Sequence, residues 1–219
     1  MGSEEPITVA GAIRPRVRVK FCGITRARDA QVAADLGADA VGLIFYPPSP
    51  RAVDIAQALE VISVVPAMLT TVGVFVNPAP AELAAVMAQV PLDLVQFHGD
   101  ESAAVCARSP RPWMKAVAMR AGVDLHELAA RYAGARALLL DTFSPERKGG
   151  TGRNFDWGLV PANLDVPVVL AGGLDASNVA AAIEAVRPHA IDVSGGVESA
   201  PGIKDGKKMK AFMQEVHGV

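Results

Sequence analysis

Two titratable side chains close apolar runs with nothing between run and residue. Cys22 follows the stretch from Val17 to Phe21, and Asp141 follows Leu138-Leu139-Leu140. A thiol and a carboxyl in such places suit general acid–base chemistry, because a thiolate can take a proton and a carboxylic acid can give one. Loss of water at the end of an apolar run favours the neutral carboxylic acid, the form a general acid needs. Plainer readings stand beside these. A buried cysteine is commonly an inert small hydrophobe, and an aspartate in this position can cap the turn that follows. Cys106 falls in a weak helical stretch and is expected to be structural.

Glycines supply a second kind of chemistry. Gly172-Gly173 and Gly195-Gly196 each follow an apolar run. Backbone N–H groups without Cβ obstruction, near helix N-termini, make an anion site, and two such pairs point to phosphate more strongly than one. A third loop, with Gly149, Gly150 and Gly152, fits a phosphate grip or a lid equally well. Arg51, behind Pro47-Pro48-Ser49-Pro50, offers a fork suited to a carboxylate, or is a solvated surface arginine. His98 suits an acid/base, a ligand donor or a structural role, and Asp192 stands near the end of the last apolar run. The Cys and His residues lack metal-ligand spacing, so no metal is expected.

The elements that must hold these residues are legible as a rhythm. Apolar runs begin near Val17, Asp39, Thr70, Asp93, Trp113, Ala137, Val166 and Ala190. Their near-continuous apolar character is that of strands buried on both faces of a parallel sheet. Between them, 28–37, 54–64, 79–90, 123–133, 176–186 and 205–216 carry apolar residues at helical spacing. The helix near 100–108 is weaker, and the one after the sixth strand is expected to be short. Eight such units predict an α/β fold, a (β/α)8 TIM barrel in one domain over 17–219, with 1–16 as a loose extension or tag remnant. An open doubly wound sheet is the alternative. In a barrel, catalytic residues gather at the strand C-terminal ends, where the residues singled out above all fall.

Composition narrows the field. The chain has 219 residues, 51% of them hydrophobic, and a net charge of −2, which argues against a nucleic-acid partner and against disorder. The mean hydropathy is +0.28, yet the longest uncharged run, between Glu60 and Glu82, holds Pro66, Asn77, Pro78 and Pro80 and cannot span a membrane as one helix. Two cysteines and no secretory signal point to a soluble, cytoplasmic protein. A monomer and a homodimer both remain open.

Several ordered blocks carry a family likeness: Lys20-Phe21-Cys22-Gly23-Ile24-Thr25, Ser49-Pro50-Arg51, Gln96-Phe97-His98-Gly99, Leu139-Leu140-Asp141-Thr142, Gly149-Gly150-Thr151-Gly152, Ala171-Gly172-Gly173-Leu174 and Asp192-Val193-Ser194-Gly195-Gly196-Val197-Glu198. From about residue 17 onward the chain resembles the phosphoribosylanthranilate isomerases of tryptophan biosynthesis. The resemblance implies an Amadori rearrangement of N-(5-phosphoribosyl)anthranilate to 1-(2-carboxyphenylamino)-1-deoxyribulose 5-phosphate. It implies Cys22 as general base, Asp141 as general acid, Arg51 on the anthranilate carboxylate, phosphate on the loops after strands six to eight, and no cofactor. His98 and Asp192 become candidates for positioning the substrate. Positive potential near the phosphate site is expected to favour the Cys22 thiolate. One departure is Gly195, where the family pattern has a second serine.

Two rivals are separated by single features. The related isomerase of histidine biosynthesis uses a carboxylate at the end of strand one, where this chain has Cys22. A catalytically silent phosphate-binding barrel would keep the glycines without needing both Cys22 and Asp141.

Overall fold

In a computed structural model of the chain, residues 16–142 and 154–219 are described. Eight strands, β1 (Arg18–Cys22), β2 (Ala40–Phe45), β3 (Thr70–Phe75), β4 (Leu94–Phe97), β5 (Trp113–Met119), β6 (Leu138–Thr142), β7 (Val168–Leu170) and β8 (Ala190–Val193), pair in parallel in chain order. β8 returns to β1 and closes the barrel. Among the described residues, six helices, α1 (Ala27–Asp35), α2 (Ile55–Ile62), α3 (Pro80–Gln89), α4 (Ala103–Cys106), α5 (Leu125–Arg131) and α6 (Val179–Val186), return the chain between strands, and a seventh, α7 (Gly206–His217), ends it. This is the (β/α)8 barrel expected, not the open sheet, because an open sheet would leave β1 and β8 unpaired. The expected loop glycines Gly149, Gly150 and Gly152, and the extension before Arg16, lie outside the described residues.

Two features differ from the expected rhythm. Among the described residues, the connection after β6 holds only a short 3₁₀ turn, Trp157–Leu159. Between β8 and α7 the chain adds an antiparallel hairpin, β9 (Glu198–Ala200) and β10 (Ile203–Lys204). Strands of three and two residues are too short to show the period of two, so the sequence offers no pattern for them.

Alternation along the strands builds two separate apolar layers. Val19, Phe21, Val95, Phe97, Leu138, Leu140 and Ile191 face the helices, whereas Val72, Met114, Leu139, Val169 and Ala190 fill the barrel interior. Burying one such leucine stabilises the fold by about 2 kcal/mol. The same period of two places Lys20, Cys22, Gln96, Asp141 and Asp192 on the interior side, toward the strand C-terminal ends. Among them Lys20, Gln96 and Asp192 are buried polar residues. A buried lysine requires a partner, and the register supplies one: Lys20 lies opposite Asp192 across the β1–β8 seam.

The loop after β4, which carries His98, is tied down from beneath. Glu101 accepts from the backbone N–H of Asn77 (2.7 Å) and of Gly99 (3.0 Å). The buried Lys115 of β5 donates to Glu101 (3.2 Å) and to the carbonyl of Gly99 (2.7 Å). No helix among the described residues is long and apolar enough to cross a membrane.

Candidate active site

At the C-terminal end of the barrel, a cavity of about 440 Å³ is lined by Arg51, Asp141, Gly172, Gly173, Asp192, Gly195 and Gly196, among others. Seven residues singled out from the sequence therefore meet around one space. Cys22 is not part of that lining. It is 6% exposed and lies beneath, its sulfur close against Gly42. A Cβ at Gly42 would sit 2.9 Å from the Cys22 sulfur and 3.0 Å from Lys20 Nζ, so only glycine leaves room for both.

Lys20 Nζ donates to Asp192 Oδ1 at 2.8 Å. Burial pulls the lysine toward its neutral form, but Asp192 and Cys22 outweigh it and its pKa stays above the ordinary value. For Cys22, burial is the largest influence and raises the pKa, and Asp192 adds to it. Lys20 and Lys204 oppose without prevailing. The lysines supply the positive potential expected to favour the thiolate, and loss of water acts against it, pushing the Cys22 thiol above its ordinary value.

Asp141 caps its own turn and faces a histidine. Oδ1 accepts from the Thr142 N–H at 2.7 Å, and Oδ2 lies 3.2 Å from His98 Nε2. The carboxyl is partly buried, with Oδ1 on the side of Gly172, where a Cβ would lie 3.0 Å from it. His98 does not line the cavity described above. It opens onto a neighbouring one of about 580 Å³ between β4, β5, β6 and α5, with Asp141 shared between the two. Its Nδ1 lies 2.7 Å from Gln96 Nε2.

Arg51 is no solvated surface arginine. Nε donates to Glu198 Oε1 at 2.8 Å and Nη2 to Oε2 at 2.7 Å. Glu198 also accepts from Lys204 Nζ at 2.8 Å, while Lys204 donates to the Ser194 carbonyl at 3.1 Å. Burial acts to raise the Glu198 pKa, but Arg51 and Lys204 together hold it below the ordinary carboxylate range. Burial lowers Lys204 in spite of Glu198. The β9–β10 hairpin thus brings both a carboxylate and an ammonium to bear on Arg51.

The glycine loops are held in a shape that turns N–H groups outward. Gly172 has φ +86, and a Cβ there would collide with the Thr142 hydroxyl. Two asparagines take the carbonyls: Asn178 Nδ2 donates to Gly173 O at 2.9 Å. Asn154, with its amide oriented to satisfy both neighbours, donates to Gly173 O at 2.9 Å and Gly172 O at 3.2 Å. With the carbonyls engaged, the peptide N–H groups are left for an anion. After β8, a 3₁₀ turn over Gly195–Val197 sets the second pair.

Sequence reasoning assigned no role to Lys20, Gln96, Asn154, Asn178, Glu198 or Lys204. Lys20 had a signal: a charge inside an apolar strand, two residues before Cys22 and so on the same face. Glu198 and Lys204 had none, since their roles depend on the unforeseen hairpin.

Comparison with known proteins agrees with this arrangement. The family described as N-(5′-phosphoribosyl)anthranilate isomerase matches residues 19–215. A protein of Pseudomonas putida named N-(5′-phosphoribosyl)anthranilate isomerase is 56% identical over 200 residues, covering 91% of this chain and 97% of its own. The crystal structure of phosphoribosyl anthranilate isomerase from Thermotoga maritima superposes with a TM-score of 0.85 at 40% identity, covering 93% of this chain and 100% of that one. A structure of such an isomerase in complex with reduced 1-(o-carboxyphenylamino)-1-deoxyribulose 5-phosphate superposes at 0.80, with 38% identity and coverage of 93% and 100%. Matched along nearly its whole length in sequence and in fold, the chain belongs to the N-(5′-phosphoribosyl)anthranilate isomerase family.

Proposed function

We propose that the chain carries out its family's isomerisation with Asp141 as general acid and Cys22 as general base, on N-(5-phosphoribosyl)anthranilate in tryptophan biosynthesis. The observation that supports this most directly is the meeting of Asp141, Arg51 and both glycine pairs around one cavity of about 440 Å³, with Cys22 beneath it. The N–H groups of Gly172, Gly173, Gly195 and Gly196 hold the phosphate, and Arg51 takes the anthranilate carboxylate through the part of its fork that Glu198 leaves open.

Between these two anchors the ribose lies across the barrel mouth. Asp141 protonates the ring oxygen, the C1′–O bond breaks with its electron pair going to oxygen, and a Schiff base forms. Cys22, once ionised, removes the C2′ proton, and the resulting enolamine tautomerises to the aminoketose. Oxidation at C2′ and reduction at C1′ occur in one molecule, so the reaction balances without an external oxidant or reductant. Lys20 and Lys204 stabilise the thiolate when it forms. Asp192 keeps Lys20 in place, and its position on the cavity wall suits contact with a ribose hydroxyl. A single barrel domain runs from residue 17 onward, and the working unit is a cytoplasmic monomer or homodimer.

The test is a fluorescence assay on freshly made N-(5-phosphoribosyl)anthranilate. Cys22→Ala and Asp141→Asn are expected to fold and to lose on the order of 10³-fold in kcat. Near-normal turnover by both variants would remove the assignment. No conversion by the folded wild-type protein would transfer the reading to the histidine-pathway substrate or to a binding-only barrel.

A further inference from the structure

Gln96 sits on the interior face of β4 at 0% exposure, and its amide oxygen has no hydrogen-bond partner. Folded proteins rarely leave a buried polar atom unpartnered, and each instance calls for a reason. Its amide nitrogen faces His98 Nδ1 at 2.7 Å, and the far ring nitrogen, Nε2, faces Asp141 Oδ2 at 3.2 Å. The three side chains form a line from the barrel interior to the acid.

The direction of that line follows from donors and acceptors. An amide nitrogen can only donate, so Nδ1 must be bare and the proton of a neutral ring must sit on Nε2. Nε2–H then donates to Asp141 Oδ2. If the amide were turned over, Oε1 would accept from Nδ1–H and Nε2 would be bare, bonded to Oδ2 only when Asp141 holds a proton there. The amide orientation therefore chooses the tautomer, and the chosen one leaves Oε1 unpartnered.

The two tautomers differ in what they do to the acid. With Nε2–H facing it, Oδ2 accepts, as Oδ1 does from the Thr142 N–H, and the ring offers no lone pair to take a proton from Asp141, which keeps it for the cavity that Asp141 lines. With Nε2 bare, the proton of Asp141 is drawn to Oδ2 and points at the histidine, away from substrate. We propose that Gln96 is a positioning residue for the reaction: it fixes His98 as the Nε2–H tautomer, and His98 in turn leaves the transferable proton of Asp141 to the substrate cavity. This rests on Asp141 being the general acid.

The experiment pairs nitrogen NMR of the His98 ring in ¹⁵N-labelled protein with kinetics of two variants. Wild-type protein is expected to show Nε2 protonated and Nδ1 bare. Gln96→Glu presents only acceptor oxygens to Nδ1 and is expected to move the proton to Nδ1. Its kcat should fall about 100-fold, the lower end of what general acid catalysis supplies, with KM changed less than about threefold. Adding His98→Gln to Gln96→Glu replaces the ring by an amide long enough to keep an N–H for Oδ2 whatever the new carboxylate in β4 does, and should recover part of the lost kcat.

A wild-type ring protonated on Nδ1 overturns the proposal, and that spectrum needs no variant to fold. So does an unchanged kcat in folded Gln96→Glu while Asp141→Asn is inactive. If Asp141→Asn itself retains turnover, it is the acid assignment that fails, and the proposal falls with it for a separate reason.

Discussion

Arg51 and Glu198 meet fork to fork: Nε and Nη2 of the arginine reach the two carboxylate oxygens at 2.8 and 2.7 Å. The pair is 147 residues apart in sequence and largely buried, with Arg51 side-chain exposure at 14%. A planar guanidinium held along one edge can rotate very little, so its remaining edge is aimed.

Replacement of Arg51 by lysine keeps the charge and loses the aim. Arg51→Lys is expected to raise KM about tenfold, the worth of one charged hydrogen bond, with kcat within about threefold. Glu198→Gln should raise KM in the same direction and also lower stability by about 3 kcal/mol, because Lys204 loses its buried counter-charge. Substrate saturation curves and denaturant unfolding check the two halves separately. A Glu198→Gln protein with normal KM would show that Arg51 does not depend on this partner.

The raised pKa of Cys22 gives the reaction a pH signature. In the proposed mechanism the base is the thiolate, and burial favours the protonated group, so kcat/KM should rise with pH along a limb above the ordinary thiol value of about 8.5. Asp192 contributes to the upward shift, so Asp192→Asn should move that limb to lower pH even as it lowers the rate. A pH–rate profile of the two proteins is the measurement, and a limb unmoved by Asp192→Asn would count against Cys22 as its source.

Asn178 holds a carbonyl and not the ligand. Asn178→Ala combined with Asn154→Ala removes both donors to Gly173 O and frees it to turn, and the peptide N–H groups lose their fixed direction. KM should rise about tenfold, and inorganic phosphate should inhibit correspondingly less well. Competition by phosphate in both proteins decides this. Equal inhibition would place the anion elsewhere.

Cys106 predicts an effect on stability alone. Burial pushes its thiol from 9.0 up to about 11. As pH rises from 9 toward 11 the unfolded chain releases this proton while the folded chain keeps it. Stability contributed at lower pH is therefore lost across that window. Cys106→Ala should flatten this part of the curve, measured as the urea midpoint against pH.

What could be read from the sequence divides along a physical line. All eight strand starts lie within two residues of their expected places, because continuous apolar runs such as Leu138-Leu139-Leu140 report burial on both faces directly. Cys22, Asp141 and the glycine pairs were found for a related reason: a polar residue or glycine directly after such a run stands at the mouth of the barrel. The ion pairs were not legible. Lys20 finds Asp192, and Arg51 finds Glu198, only through barrel closure and a short hairpin, and neither leaves a periodic trace. Nor was the dryness around Cys22 legible, because positive potential expected near a phosphate site says nothing about how much water the sulfur loses on folding.

The seam between β1 and β8 has a bearing on how the protein is made. Lys20 waits for Asp192, which is synthesised 172 residues later. Until β8 emerges from the ribosome, β1 is an open edge carrying an ammonium that cannot be buried without a large penalty. Lysine on an exposed edge also discourages pairing with stray strands from other chains. The residue that neighbours Cys22 in the finished barrel is thus also the one that disfavours burial of an unfinished β1 edge.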